Sequence, residues 1–235
     1  MGTQYEQWVK QERKWMSDYR KLILKRMVKK ILPMTAIGLG VFFLFMGLIG
    51  GSPVSELIMM ALSGLFVGAF ITGVVILLML PGLRSGRMDK GIQKTVRRYS
   101  MDTAEMEQLG REMLEAARES GGHMDFLMSG PGSSDTPASI LVSEHFIYMR
   151  GGSPLVNIVR RKDCTKICTG EEVKNMSRAT GQTRRYYRFT LYTIDFFLRD
   201  REARGITDES LPDAAFGFFS RNLRDDAFTL VKRGR

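Results

Sequence analysis

Polar and apolar positions follow three different rhythms along this chain. In residues 3–30, Tyr5, Trp8, Val9, Trp15, Met16, Tyr19, Leu22, Ile23 and Met27 recur at three- and four-residue steps, and Lys10, Lys14, Lys21 and Lys25 lie largely opposite them. That spacing predicts one amphipathic helix. Residues 31–55 and 57–83 are uncharged and apolar, separated by Glu56 alone. Each run exceeds the roughly 20 residues a helix needs to cross a bilayer core of about 30 Å. In lipid the backbone must satisfy its own hydrogen bonds, which leaves helix as the conformation for such a run. Gly50-Gly51-Ser52-Pro53 between them is a turn signal. The expectation is a transmembrane hairpin with spans at about 34–51 and 55–80. Pro33 predicts a turn near Ile31-Leu32, because the residue before a proline disfavours helix.

Beyond the hairpin the rhythm changes again. Residues 84–120 read as a juxtamembrane helical segment. Asp102 with Glu105 fits a capping box opening a helix to about Ser120, with Met106, Leu109, Met113, Leu114 and Ala117 on one face. Gly121-Gly122 ends it. Short β segments follow, predicted at 123–129, 138–143, 145–150, 154–160, 164–169, 185–193 and 195–201. Residues 172–184 are polar, and Thr180-Gly181-Gln182 is a candidate hairpin tip. A closing helix is expected at about 209–223, with Pro212 near its start and Leu211, Ala215, Phe218, Phe219 and Leu223 as its apolar stripe. The chain thus divides into an amphipathic basic helix (1–30), a hairpin (31–83), a helical segment (84–120) and a β domain with a C-terminal helix (121–235).

Charge orients this plan. Residues 1–30 carry nine Lys/Arg and three acids, and residues 81–98 carry six Lys/Arg and one acid. The loop between the spans has no base. Basic flanks stay cytoplasmic, so the chain is expected in the cell membrane as a multi-pass protein with both termini inside. Residues 99–235 hold twenty bases and twenty acids, so the net charge of +10 comes from the flanks of the spans. A neutral soluble part argues against nucleic acid as a partner. The aromatic stripe and basic back of residues 3–30 suit the membrane interface. They suit equally a helix packed on the protein's own domain or on a partner. On the first reading Trp8, Trp15, Tyr19, Lys29, Lys30, Arg84 and Arg87 contact the membrane surface.

Candidate chemistry changes little. The spans contain no ionisable residue, which argues against pumps and ion carriers. Ala36, Gly40, Gly64 and Gly68 make small-x-x-x-small faces that suit packing of the spans on each other, with homodimerisation as the alternative. No phosphate-binding loop, nucleophile elbow, zinc-protease helix or dinucleotide fingerprint is present. His123 and His145 are the only histidines; His123 and Asp125 share a strand face but lack further ligands. Cys164 and Cys168 match no zinc spacing and read as partly buried strand residues. Enzyme activity, cofactor and metal are therefore not expected. Two basic clusters, Arg160-Arg161-Lys162 and Arg184, Arg185 and Arg188, would contact an anion if they converge; otherwise they are solvated strand edges.

Seven short strands followed by an amphipathic helix resemble a pleckstrin-homology-like barrel. Ile140 to Tyr148 looks like its early hairpin, Leu155 to Ile158 and Lys162 to Ile167 like the approach to the next, and Tyr187 to Tyr192 like the later one. The chain resembles bacterial two-span membrane proteins that carry such a domain in the cytoplasm. The matching stretch runs from about Ala138 to Leu223, and the polar insert around 170–184 departs from it. The fold class expected is an α+β membrane protein: a two-helix transmembrane hairpin plus a small antiparallel β-barrel closed by a C-terminal helix. The resemblance implies a membrane-anchored scaffold or binding module whose partners are the lipid bilayer and either another protein or a second copy. An accessory subunit of an export or envelope complex, acting through its spans, is the alternative.

Overall fold

The computed structural model describes residues 3–119, 121–128, 136–151, 155–180, 183–199, 214–215 and 220–233. It is an α+β structure with two compact units: Met1–Glu12 together with Met88–Arg235, and Arg13–Arg87. Helix α1 (Gln4–Arg26) contributes to both, its first turns to one and the rest to the other.

The Arg13–Arg87 unit is the helical hairpin. Helices α2 (Leu32–Ile49) and α3 (Val54–Met79) are each long and apolar enough to cross a membrane. No chain reversal occurs at Ile31-Leu32. A π-helical turn, Met27–Ile31, carries α1 directly into α2, with Pro33 in the first turn. The Leu32 amide donates to Met27 O, one residue further back than in an α-helix. The widened turn lies just before Pro33, whose ring would clash with the carbonyl four residues back in a regular helix. At the far end Gly51 adopts φ +71°, a conformation glycine enters without steric cost, and Pro53 starts α3.

The two helices meet through their smallest residues. A Cβ on Gly64 would stand 2.5 Å from Leu39 O, and one on Gly68 would stand 2.7 Å from Ala36 Cα. Gly40 lies against Leu65, and Gly47 against Leu57 and Met60. The Thr35 and Thr72 hydroxyls are 2.5 Å apart, and Thr72 also donates to Gly68 O. Phe42, Phe45, Ile49, Ile58, Phe66, Phe70, Leu77 and Leu78 face outward and are exposed. Small residues inside and large apolar residues outside is the reverse of a water-soluble bundle. The glycine face proposed from sequence for either hairpin packing or dimerisation is occupied within the chain.

The other unit has a four-stranded antiparallel meander, β1 (His123–Met128), β2 (Thr136–Val142), β3 (Phe146–Arg150) and β4 (Val156–Arg160), hydrogen-bonded in that order. A second sheet has the order β5 (Cys164–Thr180), β6 (Thr183–Leu198), β7 (Ala214–Ala215). Among the described residues no ladder joins the sheets into a closed barrel. Between the sheets and helix α6 (Arg221–Arg233) lies the core of Phe126, Ile140, Val142, Ile147, Met149, Val159, Ile194, Phe196, Leu198, Ala227 and Val231.

The opposite face of the meander, carrying Leu141, Tyr148 and Ile158, is also buried, and helices cover it. Helix α4 (Ser85–Arg98) approaches so closely that a Cβ on Gly91 would meet Val156 at 2.8 Å. Helix α5 (Thr103–Ala116) starts at Asp102, whose side chain accepts from the Glu105 amide at 2.7 Å. Burial on both faces explains why β2 and β3 read as continuous apolar runs rather than alternating ones. From Met88 onward the segment expected to be juxtamembrane is thus part of the domain fold.

Two elements differ from expectation. The described part of the insert belongs to one long ribbon, β5 with β6, in which the strands predicted at 185–193 and from 195 are continuous; Thr180 pairs with Thr183, and a bulge lies between Cys164 and Lys166. The closing helix is Arg221–Arg233 rather than 209–223; its stripe is Leu223, Ala227 and Val231, four residues apart. Ala215 lies on β7, and Leu211, Pro212, Phe218 and Phe219 lie outside the described residues.

Candidate functional site

The first three turns of α1 dock on the domain, and a buried acid fixes them there. Trp8 is 1% exposed and meets the Tyr148 ring edge-on, centroids 5.5 Å apart. One turn further, Glu12 accepts a 2.6 Å hydrogen bond from the Tyr148 hydroxyl and a 2.7 Å bond from Arg150 Nη1. Arg150 Nε reaches Ser139 Oγ at 3.3 Å, and that hydroxyl donates to Asp125. At the start of the helix the Gln4 amide donates to Glu107 on α5 at 2.9 Å. Gly110 lies so close under Tyr5 that a Cβ would meet its backbone at 2.5 Å. Burial, and then the Glu12 charge, push the Tyr148 phenol well above its usual range. Tyr148 is therefore a fixed neutral donor, unsuited to trading protons near neutral pH.

This placement decides between the two readings of the aromatic stripe for its first turns: Trp8 is held by the protein's own domain and has no surface to offer a bilayer. The other members of the predicted membrane-contact set belong to the hairpin unit. Trp15 and Tyr19 stack with centroids 5.1 Å apart and are half-buried. Lys29, Lys30, Arg84 and Arg87 are exposed at the ends of the apolar helices, Arg87 with a 3.3 Å bond to Gly82 O.

A second polar cluster joins α5 to the β2–β3 turn. Buried Glu112 accepts from Ser143 Oγ at 2.7 Å, the His145 amide at 3.1 Å and Gln108 Nε2 at 2.8 Å. His145 Nδ1 lies 2.7 Å from the same carboxylate. Burial alone would push the Glu112 carboxyl up, but these donors outweigh it and hold the group below the usual carboxylate range. Serine, histidine and glutamate meet here, yet the serine donates to the glutamate and to Phe146 O rather than to the imidazole. A base-activated nucleophile needs the hydroxyl on the imidazole. The arrangement locks a turn.

The predicted anion-binding arginines do not form one site. Arg160 is buried, with Nη1 2.9 Å from Glu105, Nε 3.1 Å from Asp163, Nη2 donating to Tyr99 O, and its guanidinium 4.6 Å above the Tyr99 ring. Arg161 donates to Val231 O at the end of α6, and Lys162 is 3.3 Å from Glu105. These residues tie α5, β4 and α6 together, with Arg160 paired to Glu105 and Asp163 and Lys162 to Glu105. Arg188 is the register partner of Asn175, eleven residues along β5 from Cys164. At a rise near 3.3 Å per residue that is roughly 35 Å along the ribbon from the first cluster. Arg184 and Arg185 lie further still toward the tip.

His123 and Asp125 do not pair: His123 Nδ1 lies 3.1 Å from Glu119 O, and Asp125 accepts from Ser139. Cys164 and Cys168 are half-buried thiols. No group of acids, histidines and cysteines suited to a metal occurs among the described residues. Sequence reading missed Glu12, although it carries a signal. Glu12 sits at Trp8 plus four and Tyr5 plus seven, a lone acid on the apolar stripe, which calls for a buried partner. No family model, curated protein or solved structure matches the chain.

Proposed function

We propose that this chain is a membrane-anchored, non-enzymatic binding module. Helices α2 and α3 hold it in the cell membrane with both termini in the cytoplasm, and the domain that follows presents a surface to a protein partner there. The observation that carries the reading is the inverted packing of the hairpin, with Gly40, Gly64, Gly68 and Thr72 inside and phenylalanines and leucines outside. Such a surface costs free energy in water and none in hydrocarbon. Helix α2, at 18 residues, spans about 27 Å, close to the hydrocarbon thickness. The domain's polar clusters are engaged in holding its elements together, which favours a scaffold over a catalyst. A four-stranded meander, a second sheet and a C-terminal helix follow the order of a pleckstrin-homology-like domain, a fold that by itself fixes no ligand.

The test exchanges α2 and α3 for an unrelated transmembrane hairpin, followed by crosslinking and capture of the protein from native membranes. The module reading predicts that the same partner is captured before and after the exchange. Loss of the partner with the native spans would assign recognition to the hairpin and favour the accessory-subunit reading.

A further inference from the structure

Helix α4 has two sides of opposite character. Met88, Ile92 and Thr95 are buried, and Gly91 lies against Val156, so one side is committed to the meander. Lys90, Lys94 and Arg97 follow one another at steps of four and three residues, and all three are exposed. That spacing sets them in a single stripe, roughly opposite the buried one. Gln93 beside them is exposed as well, and no large apolar side chain joins the stripe. Its charge is unbalanced. Residues 84–98 hold six bases and one acid, Asp89. Asp89 is half-buried on the flank toward Tyr5, whose phenol is pushed up first by burial and then by the Asp89 charge. Arg98 lies 5.6 Å from the Tyr99 ring centroid. The side chains of Lys90, Lys94 and Arg97 make no hydrogen bond or ion pair among the described residues. The domain's buried arginines differ: Arg150, Arg160 and Arg224 each hold a carboxylate. Like charges three and four residues apart repel along a helix, and an anion lying on the stripe would relieve that repulsion. Chain connectivity points to the anion. Helix α4 follows α3 after one 3-10 turn, Leu80–Leu83, and Arg84, so Lys90 is only eleven residues past the end of α3.

We propose that the face of α4 carrying Lys90, Lys94 and Arg97 rests on the anionic headgroups of a bilayer. Basic clusters just cytoplasmic of a span are drawn to anionic lipid. Lysine ammoniums on flexible stems meet lipid phosphates as point charges and need no shaped pocket. With no apolar side chain to insert, the contact stays at the phosphate level and is weakened by salt. The inference rests on the membrane anchoring proposed above, because a tethered helix meets headgroups at high effective concentration and needs only weak contacts. A soluble polyanion has no such tether, which favours the bilayer as the occupant. The contact set expected from sequence ended at Arg87; this face adds three residues beyond it.

The full chain with Gln93→Cys, carrying a fluorophore beside the stripe, is reconstituted in nanodiscs of phosphatidylcholine alone or mixed with phosphatidylglycerol. Both discs contain the same share of a lipid with a nitroxide-labelled headgroup, which quenches the fluorophore on close approach. The labelled parent chain supplies the background from Cys164 and Cys168. Quenching should be at least about twofold stronger in the anionic discs, since each base near such a surface is worth about fivefold in association. High salt should return it to the phosphatidylcholine level, as screening demands. Lys90→Gln, Lys94→Gln and Arg97→Gln together should do the same, whereas Lys90→Arg with Lys94→Arg should retain it. Equal quenching of the Gln93→Cys chain in the two discs would overturn the headgroup contact while leaving the anchoring intact. Equal quenching together with an emission change on adding single-stranded DNA or polyglutamate would assign the face to a soluble polyanion and overturn it as well. Failure of the chain to co-elute with either disc would overturn the anchoring and this inference with it.

Discussion

Trp8→Ala should release the first turns of α1 from the domain at a cost of about 3–5 kcal/mol, the range for removing a large buried aromatic. The indole is almost wholly enclosed and stands edge-on to Tyr148, so the deletion leaves a cavity beside the hydroxyl that holds Glu12. Glu12→Gln attacks the same junction through charge. It keeps the shape but replaces an ionised acceptor that serves both Tyr148 and Arg150. Hydrogen bonds to charged groups contribute about 1.5–3 kcal/mol, and breaking a buried ion pair costs about 3–5 kcal/mol. Both variants should raise amide exchange in residues 4–12 by roughly 100-fold or more, since each 1.4 kcal/mol is a factor of ten. Tyr186→Ala, on the exposed ribbon, should leave it unchanged. Exchange in residues 4–12 that does not respond to either substitution would show that the docking contributes nothing to the fold.

The second large effect belongs to the hairpin. Gly64→Leu places a side chain where even a Cβ would be 2.5 Å from Leu39 O and 2.9 Å from Gly40 Cα. Those are backbone atoms, so the helices must separate. Overpacking costs about 1–3 kcal/mol in a tight core. In lipid, close packing and interhelical hydrogen bonds hold helices together, the latter at about 0.6 kcal/mol each on average. Separation would also stretch the Thr35–Thr72 contact. A Thr35→Cys, Thr72→Cys pair should therefore oxidise to a disulfide readily in the parent chain and at least about tenfold more slowly with Gly64→Leu, a drop of about 1.4 kcal/mol. Gly73→Leu is the control, because a Cβ there meets nothing within 4 Å. Equal crosslinking in both variants would refute glycine-mediated packing of α2 on α3.

The hairpin was legible because a bilayer-length apolar run leaves the backbone few options, and the glycine spacing marked its inner face. Asp102 as a helix cap and the first four strands were legible for local reasons, through a side chain matched to a free amide and through turn residues between apolar runs. The long ribbon was harder to read. Beyond its base Glu171 to Asn175 are all exposed, so the sequence there shows no alternation to mark a strand. The last helix was misplaced because Pro212 and the Phe218-Phe219 pair resemble a helix start and an apolar stripe, while the stripe that docks is Leu223, Ala227 and Val231. The polar clusters were the least legible. Arg160, Glu105 and Asp163 meet from α5 and the end of β4, and Glu12 meets Arg150 across 138 residues of sequence. Such pairs are set by tertiary packing; apart from Glu12, marked by its place on the apolar stripe, their members look in sequence like ordinary surface charges.

The central claim is that α2 and α3 anchor the chain in a membrane with both termini on the cytoplasmic side. Single cysteines at Ser52, Thr3 and Gly234 in otherwise cysteine-free protein, probed in intact cells with a membrane-impermeant maleimide, test it most directly. The account predicts labelling at Ser52→Cys alone, with Thr3→Cys and Gly234→Cys reacting only after the membrane is permeabilised. Labelling of either terminal probe in intact cells, or recovery of the protein in the soluble fraction, would contradict it.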